Sequence, residues 1–351
     1  MSHHHSAWVR AGSIAAASVT TSLAAGIASG IAYSALAIDH ALPLPPAISA
    51  ERRSLSAGRC GVLSYYADDT VSGRPLLLIH SINAAASAYE MRPLFDRYRS
   101  QRPVYAIDLP GFGFSERSDR VYSPALYTAA VRDALGEVTT GREGADVVAL
   151  SLGCEFAARA ALQEPERVRS LTLISPTGLS APAQRNRSER AGESASGDSL
   201  SQLLRFPLWS QAFYDALASR WSIRYFLQKS FVGAPDPGLV AYAYATSHQP
   251  GARFAPLQFV SGQLFSPDIS EAVYEHLPIP ALALYDQDAF VRFDALTHVL
   301  ARNPYWRARR IAPSKGLPQF ERLDETVQAL DSFWQGIEAT SAERMSPHSS
   351  S

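Results

Sequence analysis

Ser151 sits between Ala149 and Gly153, where the run Asp146-Val147-Val148-Ala149-Leu150 stops and a helix-forming run begins. A strand that turns sharply into a helix lifts the side chain at the turn above the sheet edge. There it meets the positive end of the helix and its unpaired N–H groups. Small flanking residues let such a turn close without a clash. A hydroxyl in that place suits nucleophilic attack, provided a base takes its proton and N–H donors hold the developing oxyanion. An ordinary serine at a strand–helix junction has the same local pattern, so the surrounding residues decide. Few rival chemistries are visible. Cys60 and Cys154 make neither a disulfide framework nor a metal site, and Cys154 reads as a buried, inert thiol. His3-His4-His5 is too short a run for a metal site and is set aside. Gly111-Phe112-Gly113 lacks the further glycine of a dinucleotide site. No phosphate loop or metal constellation appears, so no metal or organic cofactor is expected.

The elements that would position Ser151 alternate. Arg59 to Tyr66 reads as a strand in an antiparallel start to a sheet, and Pro75-Leu76-Leu77-Leu78-Ile79 as a strand covered on both faces. Residues 84–97 read as a helix, Pro103 to Ile107 as a strand, 124–138 as a helix, and Val168 to Ser175 as a strand after the Ser151 unit. Such alternation implies parallel pairing with right-handed crossovers, hence a doubly wound, mostly parallel α/β sheet. The pattern breaks over 181–270. Residues 181–201 are polar and small, which predicts a mobile loop, and 202–232 are helical and aromatic. This insertion reads as a helical cap over the carboxyl edge of the sheet. Alternation resumes with a strand from Pro280, a helix over 293–302, a strand over 306–311 and a helix over 323–338.

The chain has 351 residues, 46% of them hydrophobic, and a formal net charge of −1. That is enough for one large domain with an insertion or for two smaller ones, and it gives no electrostatic reason to expect nucleic acid. From Ala11 to Ile38 there is no charged residue. The run is long enough to span a bilayer, though rich in Ala, Gly, Ser and Thr. A membrane anchor, a cleaved signal ending at Ala35-Leu36-Ala37 and an Ala-rich helix compete, and the anchor or export readings are favoured over a cytoplasmic one. Leu42 to Pro46 reads as a stiff linker. The expected organisation is a segment 1–46, a core of 47–180 and 271–338, a loop and cap of 181–270, and a disordered tail of 339–351.

From about residue 59 to 338 the order of these stations resembles the α/β-hydrolase family with a helical cap. Ala149-Leu150-Ser151-Leu152-Gly153 is similar to its nucleophile elbow, with Ala for the first Gly. Ile79-His80-Ser81 resembles the His-Gly after the third strand. Asp108 to Ser115 resembles D-x-P-G-x-G-x-S, and Pro280 to Val291 the strand and loop that deliver the acid. The resemblance implies Ser151 as nucleophile, and Asp288 as acid with Asp286 as its rival. It implies the backbone N–H of Leu152, and of Ser81 or Ile82, as oxyanion donors. It departs at the base: Lys315-Gly316-Leu317-Pro318 lies where the family has G-H-x-P, so Gly316 stands in the histidine's place, and no histidine lies between Val299 and Pro347. His80, His248 or Lys315 would have to supply a base from elsewhere. His80, Trp209 and Phe213 are expected to line a substrate pocket.

Two functions follow. One is a serine hydrolase or acyl-transfer enzyme on a small apolar ester-like substrate, with a non-standard or absent base. The other is a non-catalytic protein of the same fold that binds an apolar ligand or a partner at a membrane. The elbow serine disfavours dehalogenase and epoxide-hydrolase chemistry, whose families place Asp there.

Overall fold

The computed structural model describes residues 25–181 and 195–345. Its eight strands are β1 (Glu51–Ser56), β2 (Val62–Asp68), β3 (Leu76–Ile79), β4 (Val104–Asp108), β5 (Ala145–Leu150), β6 (Val168–Ile174), β7 (Ala281–Tyr285) and β8 (Trp306–Arg310). They form one sheet in the order β1-β2-β4-β3-β5-β6-β7-β8. β1 and β2 pair antiparallel, as do β2 and β4, and every later pair is parallel. This is the doubly wound, mostly parallel sheet that the alternation predicts. The opening differs from the expectation in detail. Gly58–Cys60 is a 3-10 turn, β2 begins only at Val62, and Glu51–Ser56 is a strand of its own. The turn closes because the Ala57 N–H donates to the Gly61 carbonyl and Gly61 takes a φ of +77°.

The helices are α1 (25–37), α2 (Arg92–Tyr98), α3 (Pro124–Val138), α4 (Gly153–Gln163), α5 (Ala195–Leu204), α6 (Ser210–Leu217), α7 (Arg220–Lys229), α8 (Pro237–Ser247), α9 (Phe254–Val260), α10 (Ile269–Ala272), α11 (Leu296–Arg302), α12 (Pro318–Glu321) and α13 (Leu323–Met345). The central strands are buried along their whole length, so successive side chains feed two cores. Leu77, Ile79, Val147 and Ala149 pack with residues of α3 and α4, and Leu76, Leu78, Val148 and Leu150 with residues of α2 and α13.

Helices α5 to α10 lie between β6 and β7 in the chain. Their starts are written in the sequence. Ser219 accepts from the Ser222 N–H ahead of α7, and Asp236 accepts from the Leu239 N–H at 2.6 Å ahead of α8, with Pro237 as the first helical residue. The stretch expected as a mobile loop lies largely outside the described residues, at 182–194. The tail expected to be disordered from 339 is helical as far as Met345, and 346–351 lie outside the described residues. Of the charge-free run, only residues 25–38 are described. Ser34 in α1 donates to Asp215 in α6 at 2.5 Å, and His40 lies 3.0 Å from the same carboxylate. Among the described residues no helix is long and apolar enough to cross a membrane.

The sheet order reverses between β3 and β5, the place where a doubly wound sheet opens a crevice at the strands' carboxyl ends. β5 is fixed from its other end. Asp146 is 1% exposed and accepts from Arg102 (2.5 Å), Arg169 (3.1 Å) and Ser170 (2.5 Å). Removing the carboxylate would leave the nearly buried Arg102 guanidinium without its carboxylate and Arg169 with only the exposed Glu338, and breaking a buried pair typically costs 3–5 kcal/mol. Asp146→Ala is therefore expected to lower the unfolding free energy by about 3 kcal/mol or more in urea titration.

Candidate functional site

β5 ends at Leu150 and α4 begins at Gly153, so the chain reverses within two residues. Ser151 takes a φ of +51°, a left-handed conformation that is strained for a residue with a side chain. Two contacts hold it there. The Ser151 N–H donates to the Ile174 carbonyl at the end of β6, at 2.8 Å. Gly153 presses against the end of β3 so closely that a Cβ on it would meet the His80 carbonyl oxygen at 2.4 Å. Ser151 is half-buried and its hydroxyl has no partner among the described residues. The neighbouring Leu152 N–H likewise has no acceptor among them.

The loop after β3 supplies the opposite wall, with one change from the expectation. The Ser81 N–H donates to Glu90 at 2.8 Å, the Ser81 hydroxyl donates to the other oxygen of the same carboxylate at 3.0 Å, and Asn83 adds a bond of 2.8 Å. Ser81 is thus tied up within the protein, and of the two donors considered on this loop only the Ile82 N–H is left open. Burial raises the Glu90 carboxyl above its ordinary value, against the pull of these donors. His80 does not line a pocket. It is fully buried, with Nδ1 2.5 Å from the Ser81 carbonyl and Nε2 accepting from the Leu109 N–H at 2.9 Å. Burial pushes its pKa down to about 4, so it is a neutral strut between two loops.

The Asp108–Ser115 segment is structural as well. Asp108 accepts from the Ala88 and Phe114 N–H groups, Ser115 donates to the Asp108 carbonyl at 2.5 Å, and a Cβ on Gly113 would overlap the Asp108 carboxylate.

The two aspartates after β7 have different partners. Asp286 is bound to Arg310 of β8 at 2.7 Å and to the Ser314 N–H at 2.9 Å. Burial raises its pKa, but these two partners outweigh it and leave the carboxyl below the ordinary value. Asp288 accepts from the Phe290 and Val291 N–H groups and, at 2.5 Å, from the Ser175 hydroxyl. Here burial dominates and the carboxyl is raised. Ser175 ends β6 as Ser151 ends β5, and it too is left-handed, with a φ of +46°. Gly316 comes to the same corner. Its φ is +102°, and a Cβ on it would lie 2.6 Å from Asp288 Oδ2 and 3.8 Å from Ser175 Oγ. The register read from the sequence thus brings Gly316 to Asp288, but the room for a side chain is taken by the Asp288 carboxylate, turned onto Ser175.

The other expected groups lie elsewhere. His248 Nδ1 is 2.8 Å from the Tyr244 carbonyl, and its ring packs on Tyr244 and His40. The Lys315 side chain makes no hydrogen bond or ion pair among the described residues. Phe213 packs into the cap's own core with Tyr214, Ala218, Ala252 and Leu257. Trp209 packs at a tilt against the exposed Phe206 and donates to the Leu203 carbonyl, on the outside of the cap. Two cap residues reach the segment after β3: the Tyr214 hydroxyl donates to the Ala84 carbonyl at 2.8 Å, and Tyr242 stacks on Tyr89. A cavity of about 450 Å3 lies away from Ser151, among Arg59, Thr128, Arg132, Arg159 and Phe265. Among the described residues no group of acidic, His and Cys side chains could hold a metal ion.

Ser175 and Tyr214 carry no signal in the sequence because each acts through one tertiary contact, and Glu90 acts by folding back on Ser81 and Asn83. Glu90 alone left a trace, as a lone acid flanked by Ala88, Tyr89 and Met91.

A family model described as alpha/beta hydrolase family matches residues 76–329, and the chain belongs to that family. Over 119 residues it is 36% identical to a 2-hydroxymuconate semialdehyde hydrolase of Pseudomonas sp. (strain CF600), a match that takes in 32% of this chain and 40% of that protein. The chain thus spans about two fifths of the length of the curated relatives it matches first. Among solved structures, a bacterial membrane phospholipase A aligns with a TM-score of 0.64 at 20% identity, covering 96% of this chain and 99% of that one. An esterase from Thermogutta terrifontis aligns at 0.63 and 16%, covering 82% and 99%. At these identities the two structures share the fold alone.

One carboxylic acid ties the elbow helix to the cap. Glu155 of α4 is buried, accepts from the Thr177 hydroxyl at 2.5 Å and from the Ser266 N–H at 3.1 Å, and is pushed up to about 7 by burial. A carboxyl raised in the folded state favours folding below its unfolded value of about 4.5, and that contribution is lost as pH rises through about 7. Glu155→Gln is expected to gain stability relative to the parent by roughly 2–3 kcal/mol between pH 4.5 and 8, measured as the change in the difference of unfolding free energies.

Proposed function

We propose that the protein is a serine hydrolase or acyl-transfer enzyme acting on a small apolar ester-like substrate, with Ser151 as the nucleophile. The observation that carries the reading is the strained turn. Ser151 sits at φ +51° between β5 and α4, its hydroxyl uncommitted, beside the open N–H of Leu152. Holding a serine in that conformation costs about 1–3 kcal/mol; Ser175 is left-handed too, but its hydroxyl is spent on Asp288, whereas that of Ser151 has no partner among the described residues. The Leu152 and Ile82 N–H groups serve as the oxyanion donors, and Asp288 is the carboxylate in the acid's position. Hydrolase relatives support the reaction class. The charge-free run 11–38 acts as an anchor or export segment and keeps the protein at a membrane or beyond it.

No imidazole takes the proton. In a serine hydrolase of another fold, loss of the base lowered turnover by about 10⁶ and left only what the oxyanion hole and binding supply. Turnover here is accordingly slow, and the proton goes to solvent. The non-catalytic alternative, binding of an apolar ligand at a membrane, is favoured by one observation: the Asp288 carboxylate closes the space beside Gly316 and bonds to Ser175.

Short-chain p-nitrophenyl esters separate the two. The hydrolase reading expects slow turnover that Ser151→Ala abolishes. It also expects a rate that climbs steadily with hydroxide from about pH 6 to 9, without the plateau that an imidazole titrating near 6.5 would give. Equal rates for Ser151→Ala and the parent protein would support the non-catalytic reading.

A further inference from the structure

Helix α7, Arg220–Lys229, is the part of the cap whose surface the fold leaves unexplained. It buries Ser222 and Ile223, and exposes Arg220, Trp221, Arg224, Tyr225, Phe226 and Lys229. Trp221 is 75% exposed. A tryptophan, a tyrosine and a phenylalanine turned to water on one helix are costly unless something covers them. The exposed rings form a chain. Trp221 stacks on Tyr225 at 5.4 Å, Tyr225 meets Phe226 at 5.3 Å, and Phe226 lies 6.4 Å from Phe290. Phe290 belongs to the loop whose N–H groups hold Asp288. The aromatic row therefore runs from the outside of the cap to the rim of the candidate site.

We infer that α7 is an interfacial docking helix for an anionic lipid bilayer. Charge selects this occupant. The helix carries Arg220, Arg224 and Lys229 and no acidic residue, in a chain whose net charge is −1. Among the described residues none of the three pairs with a carboxylate. Instead Arg220 lies over the Tyr244 ring at 3.9 Å, and the Lys229 ammonium over the Tyr225 ring at 4.4 Å. Exposed aromatic rings beside unpaired basic side chains on one helix suit the headgroup region, where rings insert at the interface and cations meet the phosphates. The neighbouring chain agrees. α1, the described end of the charge-free run, is tied by Ser34 to Asp215 of α6, the helix before α7, and it exposes Tyr33 and Leu36. Stable attachment takes two signals, and the run and the basic aromatic helix supply one each. Docking does not depend on Ser151. Delivery of an apolar substrate along the rings to the site does rest on the hydrolase reading.

The test uses the full chain and vesicles of phosphatidylcholine with or without about one third phosphatidylglycerol. Anionic vesicles are expected to bind at least tenfold more tightly, with the preference fading in high salt. Arg224→Gln with Lys229→Gln should lower affinity for anionic vesicles about tenfold. Brominated lipid should quench a component of the tryptophan emission that is missing in Trp221→Phe. Ser151→Ala should bind vesicles like the parent, so a failure of the hydrolase reading leaves this result standing. Binding and quenching unchanged in the α7 variants would overturn the inference, because the N-terminal run alone would then carry attachment. A lipid-free dimer that shields Trp221 from acrylamide would also overturn it, in favour of a second copy of the chain as occupant.

Discussion

The site depends on how closely the turn at Ser151 is allowed to approach the end of β3. With Gly153 in contact with the His80 carbonyl, α4 starts close against the end of β3, and Ser151 at the turn is left-handed. The bond from its N–H to Ile174 fixes the turn to β6 on the other side. A buried, neutral His80 then carries the same rigidity onward. It joins the β3 loop to Leu109 of the loop after β4, so the ends of β3, β4, β5 and β6 are linked in one arrangement. A left-handed serine can persist only in surroundings that over-determine it, and these contacts do so.

Around that turn the protein gathers three buried carboxylates and one half-buried one, Asp288. Glu90 holds the β3 loop, Asp108 braces the next loop, Glu155 ties α4 to the cap, and Asp288 holds Ser175. Burial raises all four above their ordinary values. Each is satisfied by N–H or hydroxyl donors rather than by a cation. An imidazolium beside Asp288 would have been stabilised by that carboxylate. Here Gly316 stands beside Asp288, whose carboxylate accepts from the Ser175 hydroxyl and fills the corner.

Much of this was legible in the sequence. The continuous apolar runs at β3 and β5 required a sheet covered on both faces, and the Asp-Val-Val-Ala-Leu-Ser-Leu-Gly stretch required a sharp strand–helix turn. The register that set Gly316 opposite an acid was readable from Leu317-Pro318 onward. The different partners of Asp286 and Asp288 were not, because Arg310 and Ser175 come from other strands. Ser81 could not be excluded as a donor without Glu90 folding back over it. Trp209 and Phe213 were read as pocket residues from type alone. Their true settings, the cap's outer face and its private core, depend on how the cap helices pack, which aromatic content does not encode.

The most direct test of the account is covalent. The native protein would be treated with a fluorophosphonate probe and the adduct located by mass spectrometry, with Ser151→Ala and a hydrolase that has its histidine as controls. The account predicts a single adduct on Ser151 that forms much more slowly than in the control hydrolase and is absent from Ser151→Ala. No adduct in folded protein, or an adduct on Ser175 instead, would contradict it.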